Sequence, residues 1–107
     1  MVKSVTTLKQ LTDIFKSKNK VIIDFHAAWC GPCQTVSTKY GQLAWQHKEN
    51  IEFLKVDVDD SEEIVTKFGI QSMPTFVAVK DGNEHKRIMG SDEQVLQAFV
   101  EQFEGQK

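Results

Sequence analysis

Residues 21–27 read Val-Ile-Ile-Asp-Phe-His-Ala, a nearly continuous apolar run broken by one acid and one histidine. A strand covered on one side only alternates apolar and polar residues; a near-continuous run expects burial on both faces. Such a strand is central to its sheet and needs packed elements above and below it. The rest of the chain supplies them. Val2 to Val5 suits an edge strand. Thr7 and Gln10 form a capping box, followed by an apolar helical face of Leu8, Leu11, Ile14 and Phe15. From Pro32 to His47, Val36, Tyr40, Leu43 and Ala44 fall on one helical face. Ile51 to Val58 reads as a third strand with Ile51, Phe53 and Lys55 on one side, and Asp60-Ser61-Glu62-Glu63 opens a helix carrying Ile64, Val65 and Phe68. Thr75 to Lys80 and Glu84 to Met89 are strands joined at the Asp81-Gly82 turn. Ser91 and Gln94 form a second capping box, for a helix with Val95, Leu96, Phe99, Val100 and Phe103 inward. The expected order is β-α-β-α-β-α-β-β-α. That is an α/β chain with a central mixed sheet flanked on both faces by helices, parallel in its first part and antiparallel at the final hairpin.

The run hands over to Trp29-Cys30-Gly31-Pro32-Cys33, which holds both cysteines of the chain. A zinc site usually takes four ligands, and no second C-x-x-C completes one. A structural disulfide here closes too small a loop to hold a fold together. What remains is a dithiol that opens and closes at a strand-to-helix junction. A cysteine at a helix N-terminus faces unpaired N–H groups and the positive end of the dipole, which favour thiolate. Cys30 is therefore the better placed attacker, and Cys33, inside the first turn, the resolving thiol. The plain alternative is a pair of core cysteines. Asp24, in the most apolar strand, is expected to have its charged form disfavoured by burial, and is a candidate acceptor for the Cys33 proton. The alternative is an ordinary edge acid. Lys55 on the next strand is a possible charge partner for Asp24, or a solvated lysine. His47 and His85, in polar stretches, read as surface residues.

The 107 residues show no linker, repeat or low-complexity segment, so residues 1–107 are expected to form a single domain with a real core. Net charge is −2 with acids and bases mixed, which implies no nucleic-acid or polybasic membrane partner. The first residues, Met1-Val2-Lys3-Ser4, lack a signal-type apolar region, so a reducing compartment, the cytoplasm, is expected.

Asp24-Phe25, Ala27, Trp29-Cys30-Gly31-Pro32-Cys33, Lys55, Met73-Pro74-Thr75-Phe76, Asp81-Gly82 and Gly90 together resemble the thioredoxin family, in order and over nearly the whole chain. Val56 to Asp60 and Ser72 to Thr75 look like cytosolic eukaryotic members. The resemblance implies the thioredoxin fold, with Cys30 as nucleophile, Cys33 as resolving thiol and Asp24 as proton acceptor. It implies a cis bond before Pro74 and a flat docking surface of Trp29, Gly31, Pro32, Met73, Met89 and Gly90, where an extended segment pairs with the Met73 backbone. Asp59 would hold the Trp29 indole. Outside that context, the alternative for Met73 and Met89 is core filling. The implied activity is a general protein-disulfide reductase and electron donor. It has no bound cofactor and uses NADPH indirectly, through a flavoprotein thioredoxin reductase. Implied clients are peroxiredoxins, ribonucleotide reductase and other oxidised proteins, met as a monomer. Gly-Pro between the cysteines resembles the reducing branch.

Three positions depart from the common family pattern. Gln34 stands where a cation usually follows the second cysteine, and its loss slightly weakens thiolate stabilisation. Thr38 stands where a kinking proline is common, so a straighter helix is expected. His26 replaces a usual aromatic and points to the same side as Asp24. It could pair with Asp24, titrate near Cys30, or serve as an aromatic-sized spacer. Two other functions compete with the reductase: a binding module using the same apolar face, and a metal site of Cys30, Cys33 and His26, which is short of ligands.

Overall fold

In the computed structural model, which describes residues 2–107, five strands and four helices follow one another in the expected order. They are β1 (Val2–Ser4), α1 (Leu8–Ser17), β2 (Lys20–His26), α2 (Gly31–His47), β3 (Glu52–Asp57), α3 (Glu62–Phe68), β4 (Thr75–Lys80), β5 (Asn83–Met89) and α4 (Glu93–Glu104). Met1, counted in the expected domain, lies outside the described residues.

The sheet order is β1-β3-β2-β4-β5, which puts β2 in the centre. β3 runs parallel to both β1 and β2, while β4 is antiparallel to β2 and to β5. The antiparallel part is thus larger than the final hairpin alone. β4 starts at the end of the sheet where β3 finishes, with Thr75 opposite Phe25.

Alternation along β2 serves two cores. Ile22 packs with Val36, Tyr40, Leu43, Phe53, Phe76 and the α4 residues Leu96, Phe99, Val100 and Phe103 on one face. Val21, Ile23 and Phe25 pack with Leu11, Leu54, Val56, Ile64 and Val77 on the other. The Tyr40 hydroxyl lies 2.7 Å from the Leu54 carbonyl and 3.1 Å from that of Ile22, so one donated proton ties α2 to two central strands.

The capping box of α1 forms, with Thr7 accepting from the Gln10 N–H and the Gln10 side chain accepting from the Thr7 N–H. The start of α4 differs from expectation. Asp92, not Ser91, is its N-cap and accepts from the N–H groups of Gln94 and Val95. A carboxylate two and three residues before the free N–H groups outcompetes the preceding hydroxyl. That frame turns Val95 outward, 48% exposed rather than inward. His47 also departs from the surface reading. Its Nδ1 is 2.9 Å from Glu104, joining the C-terminal ends of α2 and α4. At the hairpin, Asp81 (φ 51°) and Gly82 (φ 81°) both take positive φ, as a two-residue loop between twisted strands demands.

Candidate active site

The site lies where β2 ends. After Ala27 the chain turns back, with the Cys30 N–H donating to the Ala27 carbonyl at 3.1 Å. Cys30 takes an extended conformation as N-cap of α2, and its Sγ accepts the Cys33 N–H at 3.2 Å. Pro32 falls in the first turn, where its missing N–H goes unused. Cys30 and Cys33 are joined by a disulfide with a Cα–Cα distance of 5.3 Å. α2 then runs unbroken to His47, past the exposed Thr38.

One side of the disulfide is an apolar rim. Trp29 is 67% exposed, and its indole N–H donates to Asp59 Oδ2 at 2.9 Å. Asp59 is itself held by its N–H donating to Asp57 Oδ1 at 2.9 Å. Gly31 and Pro32 are exposed beside it. Met73, preceding a cis bond to Pro74, packs against Ala27, Cys30 and Cys33. Met89 is 67% exposed and opposite Thr75 in the ladder. Gly90 has φ 106°, a conformation side chains rarely adopt, and its N–H donates to the Pro74 carbonyl at 3.0 Å.

The other side is a cavity of about 280 Å³ lined by Asp24, His26, Ala28, Cys33, Gln34, Ser37 and Lys55. It brings Asp24, Cys33, His26 and Lys55 to one space, while Asp59 stands apart under Trp29. Asp24 is only 5% exposed, and its Oδ1 has no hydrogen-bond partner. Burial pushes its carboxyl up to about 7, against the opposing pull of Lys55, its register partner on β3. Among the described residues no ion pair joins Asp24 to Lys55 or to His26, so the direct His26–Asp24 pairing is not made. His26 sits opposite Asp57. Its imidazole is pushed down by burial, drawn up by Asp57 and pushed down again by Lys55. Tyr40 also faces the group; burial and the nearby Asp24 raise its hydroxyl well above the ordinary range.

Ala28, Ser37, Tyr40 and Asp57 were not singled out from the sequence as site residues. Ser37 and Tyr40 follow Cys33 by four and seven, so helical spacing alone places them on its face. Asp57 needed the β2–β3 register, and Ala28 carries no chemical signal. Among the described residues no group of three or more His, Cys, Asp or Glu is placed to hold a metal ion. No helix among them is long and apolar enough to cross a membrane.

The Thioredoxin family profile matches residues 2–102. A thioredoxin of Mycoplasma genitalium is 44% identical over 90 residues, covering 84% of this chain and 87% of that one. A thioredoxin mutant structure from Entamoeba histolytica is 45% identical with a TM-score of 0.89, covering 95% and 99% of the two chains. A structure describing thiol resolution in yeast mitochondrial 1-Cys peroxiredoxin via glutathione/thioredoxin systems contains a chain 31% identical, with a TM-score of 0.88 and 94% coverage of each.

Proposed function

Because the chain belongs to the thioredoxin family and is a thiol-disulfide oxidoreductase acting through Cys30 and Cys33, we propose the following division of labour among its residues. In the reduced protein the Cys30 thiolate attacks one sulfur of a substrate disulfide. The substrate S–S bond breaks, the first substrate sulfur leaves as thiolate, and a Cys30–substrate mixed disulfide forms. Cys33 then gives its proton to the Asp24 carboxylate and attacks Cys30 Sγ. The mixed disulfide breaks, the second substrate thiolate leaves, and the Cys30–Cys33 disulfide remains. The substrate has gained two electrons and the protein has lost two.

The observation that carries this reading is the shared cavity of Asp24 and Cys33, with Asp24 Oδ1 unpartnered at its wall. An unpartnered buried carboxylate is costly in its charged form, so it takes up a proton readily. The N-cap position of Cys30, where the Cys33 N–H points at its sulfur, supports its role as attacker. Trp29, held by Asp59, with Gly31, Pro32, Met73, Pro74, Met89 and Gly90, forms the docking rim. A substrate strand pairs there with the Met73 backbone.

A thioredoxin reductase drawing on NADPH restores the dithiol. Clients are oxidised proteins such as ribonucleotide reductase and peroxiredoxins, the latter supported by the likeness to the peroxiredoxin-associated structure. The protein works as a monomer in the cytoplasm, a compartment reducing enough to keep the cycle turning. The test is reduction of insulin disulfides with dithiothreitol as electron source. Wild type accelerates the reaction, Cys30→Ser does not, and Cys33→Ser accumulates a mixed disulfide visible by mass. A Cys30→Ser protein as fast as wild type would overturn the assignment and favour a binding module.

A further inference from the structure

Asp24 and His26 are two residues apart on β2, so their side chains leave the same face. A strand of ordinary rise separates their Cα atoms by about 6.6 Å. Both line the cavity under Cys33. The His26 backbone is fixed there, since its carbonyl accepts the Val58 N–H at 2.9 Å. Lys55 and Asp57 from β3, and Cys33 and Tyr40 from α2, are the other titratable or charged groups facing the pair. The space is polar and roomy enough for bridging water.

We propose that Asp24 and His26 titrate as one coupled pair across this cavity, so that charge on His26 favours the Asp24 carboxylate. One proton between the two has two placements. On Asp24 it leaves both groups neutral; on His26 it leaves a carboxylate facing an imidazolium. Burial alone favours the first, since it pushes Asp24 up to about 7 and His26 below its usual value. Attraction between carboxylate and imidazolium across a partly desolvated gap favours the second and couples the two titrations. After each resolution the proton taken from Cys33 passes from Asp24 to His26, the more exposed of the two, and on to solvent. The inference builds on Asp24 as proton acceptor, but the coupling is measured apart from activity.

The test follows the Asp24 carboxyl carbon and the His26 imidazole by NMR against pH in the oxidised protein, where neither cysteine titrates. In His26→Phe and in His26→Gln the Asp24 midpoint rises. In Asp24→Asn the His26 midpoint falls by the same amount, because linkage is reciprocal. Mixed-disulfide resolution in His26→Phe slows roughly threefold at pH 6 and is unchanged at pH 9, where both groups are already deprotonated. An Asp24 midpoint unmoved in both His26 variants overturns the coupling. So does a rise in His26→Phe without one in His26→Gln, which would trace the effect to polarity rather than charge. Unaltered resolution in Asp24→Asn would instead remove the acceptor role, an outcome separable from the titrations.

Discussion

Replacing Asp24 by Asn makes stability respond to pH in a way that isolates the buried carboxyl. Asp24 is almost fully buried in the central strand, and its carboxyl is raised from 3.8 to about 7 by that burial. Between those two pH values the unfolded chain has released the proton while the folded protein still holds it. The folded state then binds more protons, so stability falls as pH rises. The loss begins near pH 3.8, the unfolded value, and is complete once pH passes about 7. Each tenfold change in an ionisation equilibrium is worth about 1.4 kcal/mol, so the whole span comes to roughly 4 kcal/mol. Asn has no such ionisation. Its own amide desolvation shifts the variant by a constant, without altering the pH trend. The stability of Asp24→Asn relative to wild type therefore climbs by roughly 4 kcal/mol from pH 4 to pH 8. Urea denaturation of both oxidised proteins at unit pH steps measures it, with equal m-values as the check that unfolding exposes the same surface. Curves that run parallel within about 1 kcal/mol over that range would refute the argument, by showing that the carboxyl is solvated in the native protein.

Three further changes test packing and capping. Asp92→Ala costs about 1 kcal/mol, as loss of an N-cap carboxylate does, whereas Ser91→Ala changes little, because Asp92 alone accepts the first N–H groups of α4; denaturation midpoints separate the two. Tyr40→Phe removes the proton shared by the Ile22 and Leu54 carbonyls and costs roughly 1–2 kcal/mol, with redox activity retained. The Glu104 carboxyl is held below the usual range by Asn50 and His47, so it adds stability above its ordinary value of 4.5 that is lost as pH falls through its folded value. Because the pair lies part-exposed at the surface, Glu104→Gln costs at most about 1 kcal/mol near neutral pH, and the difference from wild type vanishes in acid.

Local chemistry was legible wherever neighbours in sequence are neighbours in space. The Thr7 capping box, the Asp81-Gly82 turn and Cys30 at the head of a helix all depend on contacts within four residues. The hydrophobic period of α2 likewise identified its buried face. The spacing of Ser91 and Gln94 suggests a capping box, yet Asp92 beside it suits an N-cap equally, and only the position of the first helical N–H groups separates them. His47 gave no sign of its partner, since Glu104 lies 57 residues further along.

From the sequence alone come the alternation of elements, the doubly buried central strand and the redox dithiol at the head of a helix. These follow from periodicity, caps and the electrostatics of a helix end, which act over one or two turns of chain. The antiparallel entry of β4, the meeting of Met73, Pro74 and Gly90 beside Cys30, and the cavity that gathers Asp24, His26, Lys55 and Cys33 belong to the tertiary structure. The depth of Asp24, and with it the position of its proton, is set by what packs around it from β3, β4 and α2. Desolvation is a property of that whole surround, and no stretch of sequence near Asp24 contains it.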